Sequence, residues 1–314
     1  MALYVWETKS TSEDVGLGST YWRRLSIDQQ VSTYLAGARL LGYECAGILY
    51  NVLRKPAHRP MASKNETAEA YGRRVLAAIV EDPARYFQRG IIVRLEADRK
   101  EADADVWQTA ANMRDARRLK IYPRNPDACV QWSRACEFLP VCCGEQSIDD
   151  TLLFKRAETK HTELDVVRVG EVLTQSSMRT YRACPRKYHY RYELLVRSLK
   201  EPEVFKTGKS LHRAVEHHMK SGGDLDAAIA ALDTDDPYQF AKESAMIHAY
   251  HAYWPKPEGV IGVEQEWTTP LVNPETGASS KTFVLAGRFD GLVEGDRERF
   301  LSTAGVYPVR AFGV

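Results

Sequence analysis

Glu7 and Lys9 stand two residues apart in the β-prone run Val5-Trp6-Glu7-Thr8-Lys9-Ser10-Thr11, and Asp290 follows the apolar Ala286-Gly287-Arg288-Phe289. Alternation at period two puts Glu7 and Lys9 on one face of a strand. If the two strands are neighbours, the Glu7 and Asp290 carboxylates, with the Thr8 carbonyl between them, form a seat for a divalent cation. Such a cation polarises a phosphate and generates hydroxide from water; the Lys9 ammonium positions that water and offsets developing charge. A Glu-x-Lys triplet alone is also common on solvated strand faces. Asp290 weighs the other way, because a carboxylate in an apolar strand is costly to bury without a partner.

Four further groups carry chemistry. In Gly208-x-x-x-His212-x-x-x-Glu216 the His and Glu share a helix face, and a neutral imidazole is a metal ligand; an ordinary surface or core histidine is the plainer alternative. Gln30 and Tyr34 are also four apart, on the helix after the Glu-x-Lys strand, where they can hold phosphate oxygens or a base edge; otherwise Tyr34 is core and Gln30 exposed. Of six cysteines (Cys45, Cys129, Cys136, Cys142, Cys143, Cys184) four lie between 129 and 143. Cys129, Cys136, Cys142 and Cys184 suit an iron–sulfur cluster or tetrahedral zinc, although the close C-x-x-C spacing of zinc sites is missing, and buried free thiols are the alternative. The run Arg179 to Arg191 interleaves Arg182, Arg186 and Lys187 with tyrosines, which suits phosphates and stacked single-stranded bases as well as a solvated amphipathic helix.

These residues need elements to hold them. Periodicity predicts strands over 3–11 and 44–53 and helices over 27–41 and 66–80, with Ser10–Ser26 as loop. A short strand over Ile91–Leu95 and a polar helix over 102–118 follow. After a mixed-charge linker at 144–165, helices are expected over 208–219, 225–232 and 238–252, then strands over 260–270 and 281–294. The tail 296–314 has no clear pattern. With 44% hydrophobic residues the 314-residue chain can build a sizeable core, and a formal net charge of +1 leaves nucleic-acid binding to local patches. The first ten residues lack the apolar core of a secretory signal, and no run of about 18 apolar residues spans a membrane, so a cytoplasmic protein is expected.

Taken together the motifs resemble the PD-(D/E)XK nuclease superfamily, specifically its RecB-like and CRISPR-adaptation exonuclease domains. Cys184-Pro185-Arg186-Lys187-Tyr188, Gly208 to His212, Gly287-Arg288-Phe289-Asp290, Glu7-Thr8-Lys9, Gln30 to Tyr34 and Cys136 to Cys142 look like that family's successive motifs. The family's second half comes first here, so the chain reads as a circular permutation. Residues 1–143 carry the family's C-terminal half, 144–165 the linker and 166–295 its N-terminal half, in one composite domain. The resemblance implies an α/β fold, a central mixed sheet flanked by helices, here with a helical insertion near 225–252 and a cysteine patch joining the chain halves. It implies an exonuclease acting on linear or single-stranded DNA ends, in phage or bacterial recombination, repair or CRISPR adaptation. Glu7, Asp290, His212 and the Thr8 carbonyl would hold Mg²⁺ or Mn²⁺, Lys9 would assist the water, and Gln30 and Tyr34 would position DNA. Cys129, Cys136, Cys142 and Cys184 would hold a [4Fe–4S] cluster. A monomer and a swapped dimer fit equally. The alternatives are a catalytically impaired nucleic-acid-binding protein and a zinc-stapled interaction protein.

Overall fold

The computed structural model describes residues 1–16, 18–61, 63, 65–131, 134–161, 164, 171–200, 203–254, 259–296 and 308–309. The elements begin with β1 (Ala2–Thr11), α1 (Thr20–Leu25), α2 (Gln29–Leu40), β2 (Cys45–Arg54), α3 (Ala68–Glu81), β3 (Phe87–Ile92) and α4 (Glu96–Leu119). They continue through β4 (Val130–Gln131), β5 (Arg134–Ala135), α5 (Leu139–Cys143), β6 (Phe154–Arg156), β7 (Glu171–Leu173), α6 (Gln175–Ala183), α7 (Pro185–Tyr188) and β8 (Val196–Ser198). The last are α8 (Glu203–Lys220), α9 (Leu225–Ala230), α10 (Pro237–Tyr253), β9 (Val260–Val272), β10 (Ser279–Gly295) and β11 (Pro308–Val309). The chain divides into two compact units, one of residues 1–95, 202–265 and 289–314, the other of 96–201 and 266–288.

The first unit is α/β, a mixed sheet flanked by helices. β1 runs parallel to β2 and antiparallel to the end of β10, while β2 is antiparallel to β3. The run Ile48–Leu53 of β2 is buried throughout, as befits a strand covered on both faces. Helices α2 and α8 pack on β1, and α10 packs on α3 and α8. Tyr71, Val75 and Ile79, spaced at i and i+4 along α3, share one buried cluster with Leu53, Phe87 and the α10 residues Met246, Ala249 and Tyr250. The helices at 225–253 are therefore part of the main core and not an insertion.

Three further expectations are corrected. The strand sought at Ile91–Leu95 is Phe87–Ile92, its polar Gln88 and Arg89 having masked the pattern. Arg89 is buried there because its guanidinium stacks between Trp6 and Trp254, at 4.7 and 3.8 Å from the ring centroids. The stretch Ser10–Ser26 contains a helix, α1, held down by buried Tyr21, Trp22 and Leu25. Trp22 fits because Gly90 lies beneath it: a Cβ there would stand 2.5 Å from Trp22 Cζ3. Its indole N–H donates to the Val15 carbonyl (2.8 Å). Helices α4 and α8 begin earlier than predicted, at Glu96 and Glu203; the first turn of α4, Glu96-Ala97-Asp98-Arg99, is polar and carries no apolar stripe. Of the tail after Asp296, only Pro308–Val309 lies within the described residues, paired in parallel with Ile91–Ile92.

In the second unit α4 packs on α6, and Val106, Ala110 and Met113 meet Met178, Tyr188 and Tyr192 in one cluster. Arg117 ties the cluster's edge, at 3.2 Å from Glu171 and 2.6 Å from Glu193. β6 pairs antiparallel with β8, so the stretch 144–165 holds a strand. Phe138, Phe154, Tyr190 and Val196 form a smaller cluster against which Cys136 and Cys142 pack.

His218 of α8 gives the first unit a pH response. Its side chain is buried, with Nε2 3.1 Å from His251 Nδ1. Burial, then His251 and Arg89, hold its pKa down to about 4, with Asp224 pulling the other way. Between the ordinary value of 6.5 and 4 the folded protein thus binds fewer protons than the unfolded chain. The stabilisation is intact above pH 6.5 and lost as pH falls toward 4, about 2 kcal/mol in all. Thermal unfolding between pH 7 and 4 should show this acid limb and His218→Phe should flatten it; an unchanged limb in the variant rejects the assignment.

Candidate active site

The site lies wholly in the first unit and begins with strand register. β1 and β10 pair as far as Trp6↔Gly291, and carrying that register one step puts Glu7 beside Asp290. The Thr8 amide donates to Asp290 Oδ2 at 2.6 Å across 282 residues of chain. A strand residue's amide and carbonyl leave by the same edge, so the Thr8 carbonyl also faces the β10 side. Lys9 pairs with Glu7 Oε1, as period two requires. From α2, Gln30 Nε2 donates to Glu7 Oε1 (3.2 Å) and to Tyr34 Oη (2.7 Å). Asp28 caps this helix by accepting from the Gln30 amide (2.9 Å), which fixes where Gln30 starts.

The third wall is α8. His212 Nε2 stands 3.6 Å from Asp290 Oδ1 and 3.4 Å from Glu264 Oε1. Glu264 was not anticipated from the sequence. Its φ of +53° within β9 breaks the alternation of the pleat, so period two cannot say where its side chain points. His212, Glu216 and Glu264 place ligand atoms within 4.8 Å of one another, the single such set of three among the described residues.

Negative charge is in excess. Glu7, Asp290 and Glu264 converge on Lys9 and His212, and Glu7 Oε2 is buried with no hydrogen-bond partner among the described residues. Burial first, then Asp290, push the Glu7 carboxyl up to about 8, against the pull of Lys9. Asp290 is raised by burial despite His212 and Lys9. Asp290 chiefly raises His212 to about 9. Burial alone would lower Lys9, but Glu7 and Asp290 more than reverse it, so it stays an ammonium. A buried surplus of carboxylate with one oxygen unsatisfied fits a hard divalent cation.

The remaining residues of interest lie in the second unit. All six cysteines are free thiols. Burial pushes the Cys136 and Cys142 thiols up; Cys129 acts on Cys136, while Cys136 and Cys184 act on Cys142, so the four are neighbours. Lys187 beside Cys136, and Arg124 and Arg186 beside Cys142, pull in the opposite sense. These thiols form no set of three within 4.8 Å, wider than one tetrahedral ion needs. Cys143 is exposed, whereas the other five thiols are partly buried. Arg186 Nε donates to the Tyr122 carbonyl (2.9 Å), Lys187 lies 3.8 Å from Glu137, and Arg182 lines a cavity of ≈ 570 Å³ with Tyr181 and Pro185. Much of the basic–aromatic run is thus engaged within its own unit.

Residues 172–302 match the family model of the PD-(D/E)XK nuclease superfamily. The matched span contains His212, Glu264 and Asp290; Glu7, Lys9, Gln30 and Tyr34 lie outside it. No curated protein and no solved structure gives a match. Among the described residues, no helix is long and apolar enough to cross a membrane.

Proposed function

We propose that this chain is a divalent-metal-dependent DNA nuclease working from strand ends, with Glu7, Asp290, His212 and the Thr8 carbonyl as metal ligands. The observation that carries the reading is the buried Glu7 Oε2 with no partner, beside a second raised carboxylate. Glu264 joins the ligand set through His212. When bound, Mg²⁺ or Mn²⁺ supplies the Lewis acidity that activates the phosphodiester and its attacking water. The chain's own residues do the rest. Lys9, kept as an ammonium, donates toward the attacking water and the phosphate oxygens and balances the charge that builds there. Gln30 holds Glu7 and Tyr34 in place, which makes both helix residues positioning groups first and DNA contacts second.

Several finer features belong to the same proposal. The chain is read as a circularly permuted core, with residues 1–143 supplying the half that carries Glu7, Lys9 and the three close cysteines, and 166–295 the half that carries Cys184, His212 and Asp290. The four thiols hold a [4Fe–4S] cluster. Their wide spacing suits a four-iron cube better than a single zinc, and nearby Arg124, Arg186 and Lys187 balance its negative charge. Recombination, repair or CRISPR adaptation would use such an activity.

The test is degradation of end-labelled linear DNA in Mn²⁺, with EDTA and covalently closed circular DNA as controls. Mn²⁺-dependent loss of the linear form alone is expected. Cleavage of the closed circle would replace the end-directed reading with an internal one. An inert wild-type protein in Mn²⁺ or Mg²⁺ would remove the nuclease reading.

A further inference from the structure

The first unit carries a second polar hollow, a cleft of ≈ 1080 Å³ that the metal chemistry does not use. Arg54, Lys55, His58, Arg59, Arg85 and Lys242 line it, against the carboxylates Glu81 and Asp82. Its five permanent cations outnumber the two acids of its lining by three, and with Asp14 standing 3.5 Å from Arg54 the surplus is two. Burial first, then Arg74, Lys242 and Arg85, lower the pKa of His58; burial first, with Arg59 adding and Glu243 opposing, lowers that of Lys242. His58 Nδ1 is buried with no hydrogen-bond partner among the described residues. Like-charged groups held this close lose stability unless an anion lies among them.

The loop that presents these cations is pinned along its length. Lys55 N donates to the Thr11 carbonyl (2.7 Å), and Tyr71 Oη donates to the His58 carbonyl (2.8 Å). Arg74 Nη2 donates to the Arg59 carbonyl (3.0 Å), while Nε holds Glu66 (2.8 Å). Glu66 in turn accepts from Met61 N (2.8 Å). A surface loop tied at four backbone groups is preorganised, so binding an anion costs little ordering of the loop.

The cleft also adjoins the carboxylate centre. Ser12 and Thr207 lie in its wall. Ser12 is three residues beyond Lys9, about 10 Å along an extended chain. Thr207 precedes His212 by five residues on α8, about 7.5 Å along the helix. Successive phosphates on one strand of a duplex are about 3.4 Å apart along the axis, so this span is about two or three nucleotides.

We infer that this cleft grips the phosphate backbone of the bound nucleic-acid strand, two to three nucleotides from the bond at the carboxylate centre. The inference rests on the nuclease reading for the position of that bond. A polyanion is the occupant because the cations come from three separate segments, at 54–59, 85 and 242, around one cleft of ≈ 1080 Å³, more cation and more room than a single phosphate needs. Each backbone contact to a single strand contributes about 0.7 to the dependence of log K on log salt.

Binding of a fluorescent single-stranded 12-mer by the full chain in EDTA, titrated from 0.05 to 0.3 M NaCl, tests this without requiring cleavage. Arg59→Ala and Arg85→Ala, both at exposed positions, should each lower the salt slope by about 0.7 and weaken binding about tenfold at 0.1 M salt. Arg73→Ala, on the exposed face of α3 and paired with Glu69, should change neither. Unchanged slopes in the two cleft variants, or an equal loss in Arg73→Ala, would overturn the inference even if the protein degrades DNA. Slopes that fall in a protein that cleaves nothing would keep the cleft and remove the nuclease reading.

Discussion

Glu7→Gln should abolish DNA degradation and, at the same time, raise the melting temperature of the metal-free protein at pH 8. The two effects share one cause. Glu7 is buried, its Oε2 has no hydrogen-bond partner among the described residues, and its carboxyl is pushed up to about 8. A carboxyl raised above its unfolded value of 4.5 binds its proton more tightly in the folded state. Its contribution is fully present below pH 4.5 and lost as pH rises through 8, so the native protein weakens across that window. Glutamine titrates nothing there, keeps an oxygen for Lys9 and Gln30, and spares the fold a buried charge. The gain at pH 8 should be about 1–3 kcal/mol, a few degrees in melting temperature. Losing a metal ligand at the same position should lower the rate by at least about 10³-fold. Calorimetry at pH 6 and 8, run beside the Mn²⁺ degradation assay, reads both. A variant that melts lower at pH 8 would show the carboxylate is not in excess; one that keeps a tenth of the activity would remove Glu7 from the metal site.

Cys184→Ser should strip the iron from anaerobically purified protein and unfold much of the second unit. Cys184 lies where α6 ends and α7 begins, whereas Cys129, Cys136 and Cys142 belong to the segment around β4, β5 and α5. That segment has little core of its own: β4 and β5 are two residues each and exposed, and α5 buries no residue. Among the described residues the small cluster around Phe138 and Phe154 holds it, and on the cluster proposal the group bound by the thiols would add to that. Metal-coupled segments of this kind draw much of their folding free energy from the bound group. The wild type should carry about four irons with acid-labile sulfide, and the variant few or none, with limited proteolysis opening near residues 129–143. Cys143→Ser, at an exposed thiol, is the control and should keep its iron. Stoichiometric zinc in place of iron in the wild type would replace the cluster reading, and an intact, iron-loaded Cys184→Ser would exclude Cys184 as a ligand.

The parts of the fold with clean periods were legible in the sequence. β1 and β2 came from apolar alternation and an apolar run, α3 from Tyr71, Val75 and Ile79, and each begins or ends within a few residues of expectation. Spacing alone put Glu7 and Lys9 on one face and Gln30 and Tyr34 on one helix side, and these four do meet in space. Three things escaped for physical reasons. Arg89 is buried by two tryptophans distant in sequence, so β3 looked too polar to be a strand. Glu264 turns on a left-handed backbone inside a strand, which no alternation rule follows. The cleft is written as separate charges at 54–59, 85 and 242, and these come to line one hollow only once the chain has folded and α10 lies against α3.

The bond from the Thr8 amide to Asp290 spans 282 residues and so has a meaning in time as well as in space. Chains are made from the N-terminus at about 5–20 residues per second, and pairings so distant in sequence close late. Glu7 emerges early and waits for its partner carboxylate until residue 290 has left the ribosome. A fragment released early would contain Glu7, Lys9, Gln30 and even His212, yet lack the strand that carries Asp290. On the proposed nuclease reading, a half-made molecule would then have no complete centre with which to cut DNA.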